Sequence, residues 1–133
     1  MFLVGIDVGT TNTKTVIFDV ETGHIRAVGN SRTITRHPEP EWSEFDAQDV
    51  WGTVLQSIKA AIQQCDRPER IRAISVASMG ESAFPVDADG NVLHAAIAWY
   101  DLRTVPRHNG GRTSLVESVS LPLRDIFHAQ RLE

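Results

Sequence analysis

An apolar run opens the chain at residues 2–8, broken only by Gly5 and one acid, Asp7. The small polar stretch Gly9-Thr10-Thr11-Asn12 separates it from a second apolar run over residues 13–20. Two short β-rich runs joined by a polar turn predict a hairpin. Glu21-Thr22-Gly23 predicts a second turn. Residues 24–35 then alternate well enough for a third strand, with Ile25, Ala27, Val28 and Ile34 as its apolar positions. His37-Pro38-Glu39-Pro40-Glu41 ends this meander, because proline removes a ladder donor and biases the residue before it to extended forms.

Asp46 has the chemistry of an N-cap, with Gln48 and Asp49 in the first turn behind it. Val50, Trp51, Val54, Leu55, Ile58, Ala61 and Ile62 recur at helical spacing, which predicts an amphipathic helix ending between Cys65 and Pro68. Trp42 and Trp51 are assigned to the core and the start of this helix. Residues 71–77 predict a fourth strand, apolar enough to be buried on both faces. It runs into a polar break, Ser78-Met79-Gly80-Glu81-Ser82. Residues 83–86 read as extended, Asp87-Ala88-Asp89-Gly90 as a turn, and Val92-Leu93 as the start of another short strand. An apolar stretch, Ala96-Ile97-Ala98-Trp99-Tyr100, turns polar at Asp101 and Arg103. Beyond it the pattern weakens to a loop at 108–112 and short helices at 114–121 and 123–132.

A length of 133 residues suits one domain and is enough to bury roughly two-thirds of the unfolded surface. The net charge of −4 arises from 13 basic and 17 acidic residues without a long basic run, which argues against nucleic acid as a partner. The single cysteine, Cys65, leaves no internal disulfide and fits a reducing compartment. Asp7 interrupts the first apolar run and no basic segment precedes it, so no signal peptide is expected. No apolar stretch has the length of a bilayer span. The expectation is a cytoplasmic chain with no membrane partner. The histidines are scattered without ligand-like spacing and are assigned no metal.

The candidate chemistry lies in the first turn. Gly9 lacks a Cβ and lets a ligand approach the backbone, and consecutive N–H groups in such a turn form an anion-binding concavity. A carboxylate such as Asp7 at the end of a buried strand beside a phosphate loop suits hydrated Mg²⁺, which keeps several waters. Two readings stay open on these residues alone. One is a nucleotide-phosphate loop, and the other is a tight hairpin whose acid caps the turn.

The order of three strands, a helix and a further strand (βββαβ) matches by analogy the opening of the α/β ribonuclease-H-like, or actin-like, ATPase fold. Gly5-Ile6-Asp7-Val8-Gly9-Thr10-Thr11-Asn12-Thr13-Lys14 resembles the first phosphate segment of the FGGY carbohydrate kinases, the group that contains glycerol kinase and xylulokinase. Pro40-Glu41-Trp42-Ser43-Glu44-Phe45-Asp46 with Val50-Trp51 is similar to a second block of that family. Residues 74–87 with Asp89-Gly90-Asn91-Val92-Leu93 resemble its strand, substrate loop and turn. Ala96-Ile97-Ala98-Trp99-Tyr100-Asp101-Leu102-Arg103 resembles its Ile-x-Trp-x-Asp-x-Arg block. Order and spacing agree over about the first hundred residues.

The resemblance implies transfer of the γ-phosphoryl of MgATP to a hydroxyl of a sugar or polyol. Asp7 would hold Mg²⁺ through water. Gly9, Thr10, Thr11 and Asn12 would line the phosphate turn, and Lys14 would neutralise phosphate charge, its plainer role being a solvated hairpin lysine. Met79, Glu81, Trp99, Asp101 and Arg103 fall on or beside the family's sugar-contacting positions. Their plainer roles are core filler for Met79, a buried anchor for Trp99 and a surface ion pair for Asp101 with Arg103. At the sugar loop Ser78-Met79-Gly80-Glu81-Ser82 departs from both the xylulokinase-like and the glycerol-kinase-like patterns, so no sugar is named. Family members are several times longer, with the catalytic base downstream and adenosine-binding segments in a second domain. The chain is therefore expected to be an incomplete N-terminal domain, inactive alone and prone to self-association as a homo-oligomer. The alternatives are a non-catalytic binding or scaffold module of the same fold, or another actin-fold ATPase.

Overall fold

The computed structural model describes residues 1–103. The loop and helices predicted at 108–112, 114–121 and 123–132 lie outside the described residues. A central sheet contains β1 (Phe2–Val8), β2 (Asn12–Asp19), β3 (His24–Arg32) and β5 (Ile71–Ser78) in the order β3-β2-β1-β5. The first three strands form an antiparallel meander, and β5 adds to β1 in parallel. A two-stranded sheet pairs β4 (Glu44–Phe45) with β6 (Ala96–Ile97). Between β4 and β5 runs α1 (Ala47–Gln64), followed by a 3₁₀ turn at Pro68–Arg70. The predicted βββαβ order holds for the central sheet and its helix, while the two-residue strand β4 before the helix was not predicted.

The meander and helix start as the sequence pattern dictates. Alternation along β1 and β2 puts Phe2, Val4, Ile6, Val8, Thr13, Thr15, Ile17 and Asp19 on one face, all buried. The helix α1 packs on that face. Asp46 caps it, its carboxylate accepting from the Gln48 N–H at 2.9 Å and the Asp49 N–H at 3.2 Å.

Small residues bring helix and sheet unusually close. A Cβ built on Gly29 of β3 would lie 1.9 Å from the Ser57 carbonyl oxygen and 2.6 Å from the Ala61 nitrogen. Beside it, the Ser57 hydroxyl donates to the Val54 carbonyl at 2.9 Å. That leaves the Thr15 hydroxyl to donate to Ser57 Oγ, 2.8 Å away in a fully buried contact. Two hydroxyls buried by the approach are thus both satisfied.

At the far end of the sheet, Asp19 is buried and accepts from Arg26 Nη2 at 2.6 Å, Arg26 Nε at 3.1 Å and the Glu21 N–H at 3.0 Å. The Arg26 guanidinium lowers the Asp19 carboxyl to about 2. Arg26 and Arg70 also sit over the Phe2 ring, at 5.7 Å and 4.9 Å from its centroid.

Several expectations need correction. The strand β5 is not buried on both faces: Ile74 and Val76 are 62% and 61% exposed. They share the helix-side face with their partners Val4 and Ile6. The helix, however, packs mainly over β3 and β2 and only thinly over β1. Trp51 points outward at 58% exposure, because the helix presents Thr53, Val54, Ser57 and Ala61 to the sheet instead. The third strand stops at Arg32, and among its expected apolar positions only Ala27 is buried. A register shift between Ile17 and Phe18 pairs Phe18 with Ile25 and leaves both on exposed surface. Val92 forms a single bridge to Val86 rather than a strand.

Replacing Gly29 by alanine forces backbone apart from backbone. We expect Gly29→Ala to cost about 3 kcal/mol or more in urea unfolding, at the upper end of what overpacking does. The Asp19 carboxyl sits lower in the folded chain than in the unfolded one, so its contribution is complete above the unfolded value near pH 4 and is lost as pH falls toward 2. An acid titration followed by circular dichroism should show this loss, and Asp19→Asn should flatten it while lowering stability at pH 7.

Candidate phosphate turn and sugar-side clamp

The face of the sheet opposite α1 is open. In-register pairing sets Ala77, Asp7, Lys14 and Asn30 in one row across β5, β1, β2 and β3. Asp7, Lys14 and Asn30 are exposed, and among the described residues the side chains of Asp7 and Lys14 make no ion pair or hydrogen bond. Gly5 and Val16, one pair further along, carry the same face away from the turn, and the absent Cβ of Gly5 leaves a dip there.

The row ends at the β1–β2 turn. Asp7, Gly9, Thr10, Thr11, Asn12, Lys14 and Asn30 line a cavity of about 340 Å³. The Gly9 N–H donates to the Asn12 carbonyl at 3.1 Å, and a Cβ on Gly9 would meet that oxygen at 2.8 Å. The turn is too tight for any side chain at that position. Sequence reading missed two contributors. Asn30 enters only through strand register. Thr33, just past β3, donates its hydroxyl to the Gly9 carbonyl at 2.7 Å and its N–H to the Thr11 carbonyl at 3.0 Å.

The residues expected on the sugar side divide into two groups. Met79 follows β5, its N–H donating to the Val8 carbonyl at 3.1 Å, and its half-buried side chain touches both apolar clusters. Glu81 is exposed, and Trp99 is 62% exposed with its ring edge-on to Tyr100 at 5.4 Å. Trp99 is therefore not a buried anchor.

Asp101 and Arg103 form a largely buried clamp. Asp101 Oδ1 accepts from the Arg103 N–H and Nε, both at 2.8 Å. Its Oδ2 accepts from the Ser43 N–H at 2.6 Å and Arg103 Nη2 at 2.8 Å. Arg103 Nη2 also reaches Glu44 Oε1 at 2.8 Å, and the guanidinium stacks 3.9 Å from the Trp42 ring centroid. Burial pushes the Asp101 carboxyl up, but the Arg103 guanidinium and the Ser43 and Arg103 amides outweigh it and hold it below the ordinary range. The clamp ties the 40–46 block to the 96–103 block, and Trp42 belongs to it rather than to the sheet core.

Comparison with known proteins decides the family. Residues 2–112 match the N-terminal domain of the FGGY family of carbohydrate kinases. The chain belongs to that family. The glycerol kinase of Thermococcus kodakarensis is 36% identical over 139 residues, spanning 99% of this chain and 27% of the relative. Among solved structures, a gluconate kinase from Lactobacillus acidophilus superposes with a TM-score of 0.68 at 25% identity, over 98% of this chain and 23% of its own. A xyloylose kinase from Brucella ovis gives a TM-score of 0.73 at 23% identity over 97% of this chain and 25% of its own, a likeness of fold. The fold is the actin-like ATPase fold of the FGGY sugar kinases. The chain spans about a quarter of the length of these relatives. No helix among the described residues is long and apolar enough to cross a membrane.

Removing the clamp's cation strands two buried carboxylates. Arg103→Ala should cost about 3 kcal/mol in denaturant unfolding, as breaking a buried pair does. Arg103→Lys should recover only part of it, because an ammonium cannot make the forked contacts to Asp101 or stack on Trp42 in the same way.

Proposed function

We propose that this chain supplies the phosphate-binding turn and part of the sugar wall of an ATP-dependent carbohydrate kinase. The observation that carries the reading is the row Asp7–Lys14–Asn30 opening onto the turn at residues 9–12, with the acid and the lysine free of other partners among the described residues. Phosphoryl transfer depends on positioning and on neutralising charge at the transferred group. Backbone N–H groups of the turn and the Lys14 ammonium face the phosphates. An exposed carboxylate on the rim of the same cavity fits a hydrated magnesium ion, so Asp7 holds Mg²⁺ through water, and the ion supplies charge neutralisation when bound. Met79, Glu81 and Trp99 take the sugar side, with Glu81 accepting from hydroxyls and the Trp99 face covering the carbon chain. Asp101 and Arg103 act there through shape, since the four contacts to the Asp101 carboxylate are made within the protein.

The base that orients the sugar hydroxyl belongs, in this reading, to sequence beyond this chain, as does the second domain that closes over the nucleotide. The exposed Ile74–Val76 strip and the outer edge of β5 are surfaces that further chain covers in the whole kinase and that a second copy covers in isolation. A monodisperse monomer in light scattering counts against that self-association.

ATP consumption by the chain, with Mg²⁺ and a panel of polyols, ketoses and aldonates, should show no sugar-dependent turnover. Calorimetry should nevertheless detect Mg²⁺-dependent binding of ATP that Asp7→Ala weakens. Turnover lost in Asp7→Ala would instead place the base within these residues, with the exposed Glu81 the first to test. Binding indifferent to Mg²⁺ and to Asp7→Ala would sink the phosphate reading.

A further inference from the structure

We propose that Thr33 is a positioning residue that sets the direction of the amide N–H groups in the phosphate turn. The proposal rests on the phosphate reading above and adds a residue that lies outside the turn. Thr33 stands just beyond β3, more than twenty positions along the chain from Gly9. It is 6% exposed. Its two polar backbone and side-chain donors go to two carbonyls of the same turn, the hydroxyl to Gly9 and the N–H to Thr11.

Peptide geometry turns those two bonds into an orientation. All described peptide bonds are trans, and in a trans peptide the carbonyl of one residue and the N–H of the next point in opposite directions. Holding the Gly9 and Thr11 carbonyls toward Thr33 therefore aims the N–H groups of Thr10 and Asn12 away from it. Two N–H groups fixed on one side of a tight turn make a concavity for an anion. Without the hydroxyl, the Gly9–Thr10 peptide loses the bond that sets its plane, and the carbonyl and the N–H are free to exchange sides. The Thr11–Asn12 peptide keeps its backbone bond to Thr33. The hydroxyl thus governs one of the two aimed donors.

The same segment also reaches the sugar side. The Thr35 hydroxyl lies 3.2 Å from the Tyr100 hydroxyl, and Arg36 exchanges backbone hydrogen bonds with Glu44 at 2.8 and 2.9 Å. Thr33 is therefore held from a strap whose other end is fixed to the clamp around Asp101, rather than from a free loop.

The test compares the chain with Thr33→Val, which keeps size and β-branching, and Thr33→Ser, which keeps the hydroxyl. Amide hydrogen exchange and the calorimetric affinity for inorganic tripolyphosphate with Mg²⁺ are measured for each, with Lys14→Ala as a control on the phosphate reading. Loss of one hydrogen bond predicts that Thr33→Val speeds exchange of the Gly9 N–H, the hydrogen-bonded amide of the turn, about 10-fold and weakens tripolyphosphate by a similar factor. Exchange in α1 should not change, and Thr33→Ser should restore both values. Unchanged exchange at the Gly9 N–H in Thr33→Val overturns the proposal, as does an equal rise throughout the sheet, which marks a general loss of stability. If the parent chain and Lys14→Ala bind tripolyphosphate equally or not at all, the phosphate reading fails. The exchange comparison then still decides whether Thr33 sets the turn.

Discussion

The approach of α1 to β3 at Gly29 is the constraint on which the rest of the structure depends. Backbone meets backbone there with no room for a single methyl group, and Ser57 and Ala61 supply the facing surface. Interiors packed at this density do not deform gradually. The contact therefore sets the distance of the helix from the sheet and assigns one face of the meander to the core. The other face is left open. Asp7, Lys14 and Asn30 stand in a row on the open side because Val8, Thr13 and Thr15 must lie on the closed one. Strand alternation makes the two assignments inseparable.

A second consequence concerns the position of the helix. Because α1 sits over β2 and β3, it leaves Ile74 and Val76 of β5 exposed on the same face. The apolar residues Ile74 and Val76 are a helix-side surface without a helix among the described residues. A strand that looks like a core strand in sequence behaves as an edge when the elements flanking it are not part of the described structure.

The small sheet of β4 and β6 has a different logic. Its core is thin, and charge does much of the holding: one guanidinium bridges Asp101 and Glu44 while lying on Trp42. Such networks stabilise little relative to an apolar alternative but penalise partial disruption heavily. The outcome is a fixed geometry for the turn that carries the exposed Trp99. Rigidity of the wall and freedom of the surface on it are thereby separated between neighbouring residues.

Much of this was legible in the sequence because it rests on local rules. Alternation identified the meander, the Asp46 cap and helical spacing identified α1, and the blocks around Asp7, Trp42, Met79 and Trp99 carried the family. What the sequence could not decide was which residues meet. The plainer reading of Asp101 and Arg103 was a surface pair, yet Glu44, Ser43 and Trp42 arrive from about sixty positions away and enclose them. Trp51 read as core, but hydrophobic spacing does not tell which edge of an apolar stripe faces the sheet. Thr33 carries no local signal at all, since its partners are main-chain carbonyls on another turn. Period and chemistry are properties of the chain and can be read along it. Register, the reach of one helix across four strands and the closure of a clamp are set by contacts distant in sequence, and only the folded structure determines them.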